Sequence, residues 1–317
     1  MFGYSIAVIA GAVLFIKQEF GLATTLEEVV VSGVLLGAMI GAAFGDKMAD
    51  QIGRRQVVVL AAIISIVGTL TGILAPTVAW LVFGRIIVGV SFGILSCITP
   101  LYIAEISPAN VRGRLVSVNT VMVMVGILVS FVVDYLFSSS HGWRWMFGVG
   151  ILPAALLGIG MMCLPKSPRW LVSRGLTEEA HAALRRIRRM ANVDEELRDI
   201  EKSVVKQGVG LSELMSPLLR KTLVVGIGLA IIRQGTGAQM STFYAAEVFR
   251  LAGFGSVAVE LLGTVGVGVG YVLMTLAALW LVDRVGRRPL MLWGLGGMVV
   301  ALGVLGMVFF TPHLSGR

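Results

Sequence analysis

Nine apolar runs, most of them long enough to cross a bilayer, leave this chain few architectures. They cover residues 2–20, 28–48, 57–77, 79–104, 114–137, 144–164, 221–245, 256–282 and 289–310. A hydrocarbon core of ~30 Å takes about 20 helical residues. Charged residues make up 14% of the chain, against roughly 25% in an ordinary soluble domain. The fold class is therefore all-α, a polytopic membrane protein. The first run is the weakest, because its apolar core from Phe2 to Ile16 reaches only about 22 Å at ~1.5 Å per residue. No basic region precedes it, so it reads as a span and not as a signal peptide.

Basic residues orient the spans. Lys47, Arg54 and Arg55 follow the second run, and Arg112 and Arg114 follow the fourth. Twelve Lys or Arg occupy 166–221, and Arg284, Arg287 and Arg288 follow the eighth run, so 20 of the 26 basic residues share one side. The opposite loops hold Lys17, Arg144, Arg250 and Arg317. This bias places the ends of the even-numbered spans in the cytoplasm of a multi-pass cell-membrane protein. The net charge of +8 then reports topology and contact with anionic lipid, with no nucleic-acid partner. Cys97 and Cys163 fall inside spans and read as inert thiols.

One motif occurs twice. A-D-Q-I-G-R-R-Q at 49–56 returns as V-D-R-V-G-R-R-P at 282–289, with Asp50, Gly53, Arg54 and Arg55 recurring as Asp283, Gly286, Arg287 and Arg288, each 233 positions on. Such an offset is the mark of two parallel six-span halves with substrate between them near the midplane. It divides the chain into a six-helix bundle at 1–164, a cytoplasmic helical linker at 165–220, and the first three helices of a second bundle at 221–317. Residue 317 maps onto 84, so about three further spans, and the beginning of the first, are expected outside this sequence. In the motif, Asp50 is placed to cap the following turn and to pair with arginines of a neighbouring helix. Gly53 permits a sharp reversal, and Arg54 and Arg55 are expected at the lipid headgroups. The motif as a whole reads as a cytoplasmic latch between bundles. In the linker, Ala180, Leu184, Ile187 and Met190 form one apolar stripe, and Leu197, Ile200 and Val204 another. Thr177 and Asp194 are the expected N-caps.

G-D-K-M-A-D-Q-I-G-R-R at 45–55 resembles the loop signature of the major facilitator superfamily. Further stretches resemble its sugar porter branch: F-G-Y at 2–4, G-R-I-I-V-G at 84–89, P-L-Y-I-A-E-I-S-P at 100–108 and R-G-R-L at 112–115. G-W-R-W-M-F at 142–147, P-K-S-P-R-W-L at 165–171, R-Q-G-T-G-A-Q at 233–239 and F-Y-A-A-E-V-F at 243–249 continue the likeness. The resemblance implies a major facilitator fold and alternating access, with two bundles rocking around a hexose- or polyol-sized site. It implies no cofactor and no metal, a sugar or polyol and membrane lipid as partners, and a monomer.

Binding a neutral sugar takes amides, hydroxyls and aromatic faces inside the bundle. Span seven offers Gln234, Gln239 and Tyr244 beside Gly235 and Gly237. The resemblance puts Gln234 on the second glutamine of the family's pair, Gln239 where an asparagine is usual, and Arg233 in place of the first glutamine. Thr120 stands where span five has a sugar-contacting glutamine, and Ile127 where it has another. Arg233 is read either as the holder of an anionic substrate group or as a partner of Glu247. Proton-linked relatives carry an aspartate directly after F-G-Y that pairs with the span-four arginine. Here the arginine is Arg85 and the aspartate position is Ser5. Asp134 and Glu247 are expected near the outer ends, so facilitated diffusion is favoured, with proton symport as the alternative. Glu105, Arg112 and Arg114 match inter-bundle ion-pair positions, and Lys166 replaces the family's glutamate with the opposite sign. A non-transporting sugar sensor and an inactive truncated product are the other classes. An enzyme is not expected, because no nucleophile–base pair, metal-ligand cluster or phosphate loop appears. His141, His181 and His313 are isolated in the sequence.

Overall fold

The structure is a computed structural model that describes residues 1–108, 110–140, 142–188, 193–205, 217–254 and 256–310. Span one is a helix broken by a single residue, α1 (Phe2–Ala7) and α2 (Ile9–Phe20), with Val8 between. The break leaves the span long enough to cross, and its residues from Ile6 to Ile16 are all buried. It remains the least apolar of the spans and is also the most buried of them. Around it stand α3 (Thr24–Ile52), α4 (Arg54–Ile73), α5 (Val78–Ile106) and α6 (Arg112–Leu136). The sixth span is α7 (Trp143–Val149) followed by α8 (Ile151–Cys163).

Close helix approach explains how an apolar bundle finds one packing, since lipid tails are as apolar as leucine and small residues must decide it. On α3 the glycines recur every fourth residue, at 33, 37, 41 and 45, and face α5. A side chain on Gly37 would strike the Ile86 carbonyl, and one on Gly89 the Val34 carbonyl. Gly68 and Gly84 hold α4 against α5 in the same way, and Gly3 lies on the Val123 carbonyl of α6.

Among the described residues the linker carries three short helices, α9 (Pro168–Ser173), α10 (Thr177–Arg188) and α11 (Val193–Val205). Ser167 accepts a hydrogen bond from the Trp170 amide, with Pro168 at the first helical position, a favourable helix start. Leu171, Ala180 and Ala183 form a small core that Trp170, Val172 and Leu197 cover. Thr177 and Asp194 are the first and second residues of their helices and not the caps. Asp194 bonds His181 instead, at 2.9 Å, so that histidine is not isolated. Met190, His141 and His313 lie outside the described residues.

Span seven is broken twice, into α12 (Pro217–Gly235), α13 (Ala238–Phe243) and α14 (Ala245–Leu251). Then follow α15 (Val257–Val285) and α16 (Arg287–Phe310). Among the described residues seven helices are long and apolar enough to cross a membrane, and shorter apolar stretches lie at 222–232 and 288–304. The repeat is visible in the backbone. Residues 24–52 shifted by 233 become 257–285, the bounds of α15, and Gly53 (φ +94°) becomes Gly286 (φ +87°). The second half meets the first where α15 packs on α6 and where α13 and α14 lie against α1 and α2.

Candidate functional site

A cavity of about 500 Å³ opens among α1, α5, α6 and α8. Its walls carry Phe2, Gly3, Ser96, Thr99, Asn119, Thr120, Pro153 and Leu157. It lies toward the start of α6 and the end of α5, the side that carries the basic loops. The contacts between the halves cluster at the other end, where Gly268 meets Leu128 and Phe131. Thr120, the position that the resemblance assigns to sugar contact, is part of this wall, and Ser96, Thr99 and Asn119 join it as polar groups that the sequence reading did not single out. A signal for them existed: all four are small polar residues amid apolar ones on two spans whose facing is fixed by glycines.

Gln234, Gln239 and Tyr244 are not in the wall of that cavity. Gln234 is exposed and Gln239 half-buried, and Tyr244 packs against the core formed by the first span and Phe243. The side chain of Arg233 lies outside the described residues, and Glu247 pairs with Arg250 on its own helix.

Arg85 is 4% exposed in the middle of the first bundle. Its Nη1 reaches the backbone carbonyl of Ser5 at 3.5 Å, and its guanidinium sits 5.7 Å from the Phe147 ring centroid. Nε and Nη2 have no hydrogen-bond partner. Asp134, expected near an outer end, is placed two residues before the end of α6 and is fully buried against Gly11. By hydrogen-bond geometry neither of its carboxyl oxygens has a partner among the described residues, although the Gly11 backbone lies against them. Glu27 and Glu260 are also buried acids, which the sequence reading passed over; Glu27 pairs with Lys17 at 2.6 Å.

On the cytoplasmic face Arg54 Nη1 lies 2.9 Å from Asp50, and Nε lies 3.3 Å from Glu105. Ser167 donates to the same Glu105 oxygen. Arg55 donates to the carbonyls of Met161 and Met162. The two arginines are thus turned into protein and not toward headgroups, because free carbonyls at the end of α8 and two carboxylates outbid water for them. The Asp50 carbonyl accepts from Trp170 and Arg174, which ties the linker helix α9 to the motif. Arg112 and Arg114 are exposed, with no ion pair among the described residues, and Lys166 pairs with Glu179 at 3.0 Å. Arg288 is exposed, and the side chains of Asp283 and Arg287 lie outside the described residues. On the outer face each described base is neutralised: Lys17 by Glu27, Arg144 by Glu19, Arg250 by Glu247. Among the described loop residues the surplus positive charge therefore lies on the side of the even-numbered span ends.

The family model "Sugar (and other) transporter" matches residues 1–316. The chain belongs to the sugar transporter family. It is 40% identical over 314 residues to the D-xylose transporter of Levilactobacillus brevis, covering 98% of this chain and 68% of that one. It is 35% identical over 315 residues to the glucose transporter GlcP of Staphylococcus epidermidis, covering 99% and 70%. The fold matches the partially occluded inward open conformation of the xylose transporter XylE from E. coli with a TM-score of 0.87 and 30% identity, covering 99% of this chain and 78% of that one. This sugar transporter family member is thus a multi-pass membrane protein of the major facilitator fold.

Proposed function

We propose that the protein moves a sugar or sugar-like polyol across the cell membrane by alternating access, as facilitated diffusion. The observation that carries the uncoupled reading is the Arg85–Ser5 contact, in which a buried arginine meets a backbone carbonyl and no carboxylate. Proton coupling takes a carboxylate that loses and regains a proton in a desolvated place, and position 5 offers only a hydroxyl. The relatives named for D-xylose and glucose support the substrate class. In this reading Thr120, with Ser96, Thr99 and Asn119, supplies one wall of the sugar site, and Gln234, Gln239, Tyr244 and Arg233 supply the facing wall when the halves close. Asp50, Arg54, Arg55 and Glu105, with Arg112 and the repeat copy Asp283, Arg287 and Arg288, form the cytoplasmic latch. The division at 1–164, 165–220 and 221–317 follows these roles, the middle segment being a cytoplasmic brace. The protein works as a monomer without cofactor, and no catalysis is assigned to it.

Proton symport is the second reading, favoured by one observation: Asp134 is a fully buried carboxyl group without a hydrogen-bond partner. Reconstitution in vesicles with an imposed proton gradient separates the two. Equilibration without accumulation, unaffected by a protonophore, supports facilitated diffusion. Gradient-driven accumulation that vanishes in Asp134→Asn supports symport and overturns it. Ser5→Asp is expected to make uptake pH-dependent.

A further inference from the structure

Beside Arg85 lies a second, much smaller cavity of about 20 Å³. A single water needs roughly 10–15 Å³, so this space holds one water-sized or halide-sized occupant and no sugar. Its lining residues include Arg85 and the hydroxyl-bearing Ser5 and Thr69, with Gly68, Gly72 and Gly84, and no acidic residue. Tyr4 also lines it, but its hydroxyl is committed to the Met146 carbonyl.

The guanidinium keeps its proton at any working pH. It is 4% exposed, with Nε and Nη2 unpartnered. Its polar contact is one long hydrogen bond to the Ser5 carbonyl, and the Phe147 ring adds a weak cation–π attraction. Among the described residues no acidic side chain forms an ion pair with it, and Asp134 lies instead against Gly11. A buried charge is tolerated when it is paired and its hydrogen bonds are met. A water in the cavity leaves the charge unbalanced, whereas a monatomic anion balances it.

We propose that the cavity formed by Arg85, Ser5 and Thr69 is a binding site for a monovalent anion of chloride size, which balances Arg85 where position 5 brings no carboxylate. The ion is a resident of the first bundle and does not share the sugar cavity. A carboxylate introduced at position 5 competes for the same guanidinium and displaces it.

The test reads ion binding and not transport, so its outcome is separate from the transport reading. The 317-residue protein in detergent is melted in sodium chloride, sodium bromide and sodium gluconate at equal ionic strength. The expected result is a saturable rise in Tm with either halide, about 2–4 °C near saturation, with gluconate inert, and loss of that rise in Ser5→Asp. Equal melting in halide and gluconate overturns the proposal, as does a halide effect that persists unchanged in folded Ser5→Asp. Should Ser5→Asp fail to fold, crystals of the unaltered protein grown in bromide decide the matter. An anomalous peak beside the Arg85 guanidinium supports the site, and its absence there overturns it.

Discussion

Arg54 Nε stands 3.3 Å from Glu105 Oε2, joining the start of α4 to the end of α5. The pair is largely out of water, with side-chain exposures of 14% and 4%, so it escapes the discount that applies to surface ion pairs. Removing one partner of a buried pair typically costs about 3–5 kcal/mol. Here Arg54 keeps Asp50 and the Ala49 carbonyl, which places the loss at the low end. Glu105→Gln is expected to lower the melting temperature in detergent, whereas Arg112→Gln, at an exposed and unpaired position, is expected to leave it unchanged. Equal melting of the two variants contradicts a stabilising role for the Arg54–Glu105 pair.

The two copies of the motif allow a controlled glycine experiment. Gly53 and Gly286 share an extended backbone at positive φ, a region that costs a side chain about 1–3 kcal/mol. Only Gly53 has a neighbour: a Cβ there would stand 3.3 Å from the Trp170 ring, and one on Gly286 would meet nothing within 4 Å. Gly53→Ala should destabilise more than Gly286→Ala, and Trp170→Ala should narrow the difference. The measurement is thermal unfolding of the three single variants and the Gly53–Trp170 double.

In the cavity wall, Thr120→Val and Asn119→Leu should weaken sugar recognition without loss of protein from the membrane. A lost hydrogen bond is worth ~0.5–1.5 kcal/mol, which predicts a rise in KM of roughly two- to twelve-fold for each. Gln234→Ala and Gln239→Ala are expected to abolish saturable uptake, because amides that close over the ligand in the occluded state have no substitute in a methyl group. Unchanged uptake kinetics in both glutamine variants would remove span seven from the site.

Asp134→Asn provides the pH test. Under facilitated diffusion the variant keeps its uptake rate and its pH profile. It should also be at least as stable as the parent, since an amide replaces a buried acid that has no partner in the protein. A flattened pH profile together with lost accumulation would transfer the coupling role to Asp134.

The linker offers a further check. Trp170 and Arg174 both donate to the Asp50 carbonyl, so Arg174→Ala should loosen α9 from the motif. Faster amide exchange in 168–173 with little change in the spans is the expected outcome; unaltered exchange there contradicts a brace.

The helices and the repeat were legible in the residues alone. Runs such as 57–77 carry no charged residue, and a backbone in lipid must satisfy its own polar groups, so a helix was forced wherever such a run occurred. The motif offset of 233 placed the ends of α3 and α15, because a glycine at positive φ followed by paired arginines stops a helix through local chemistry alone. The same apolarity hid the packing. Gly33, Gly37 and Gly41 read as ordinary span residues until α5 was laid against them, and Arg54 read as a headgroup arginine until Glu105 came within reach. Asp134 shows the limit most plainly. Two residues from a helix end it looked wet, and only the crossing of α2 over α6 at Gly11 sealed it from water. Local rules act within a turn or two of the chain. Burial of a charge depends on which helix arrives from 120 residues away, and the tertiary structure alone decides that.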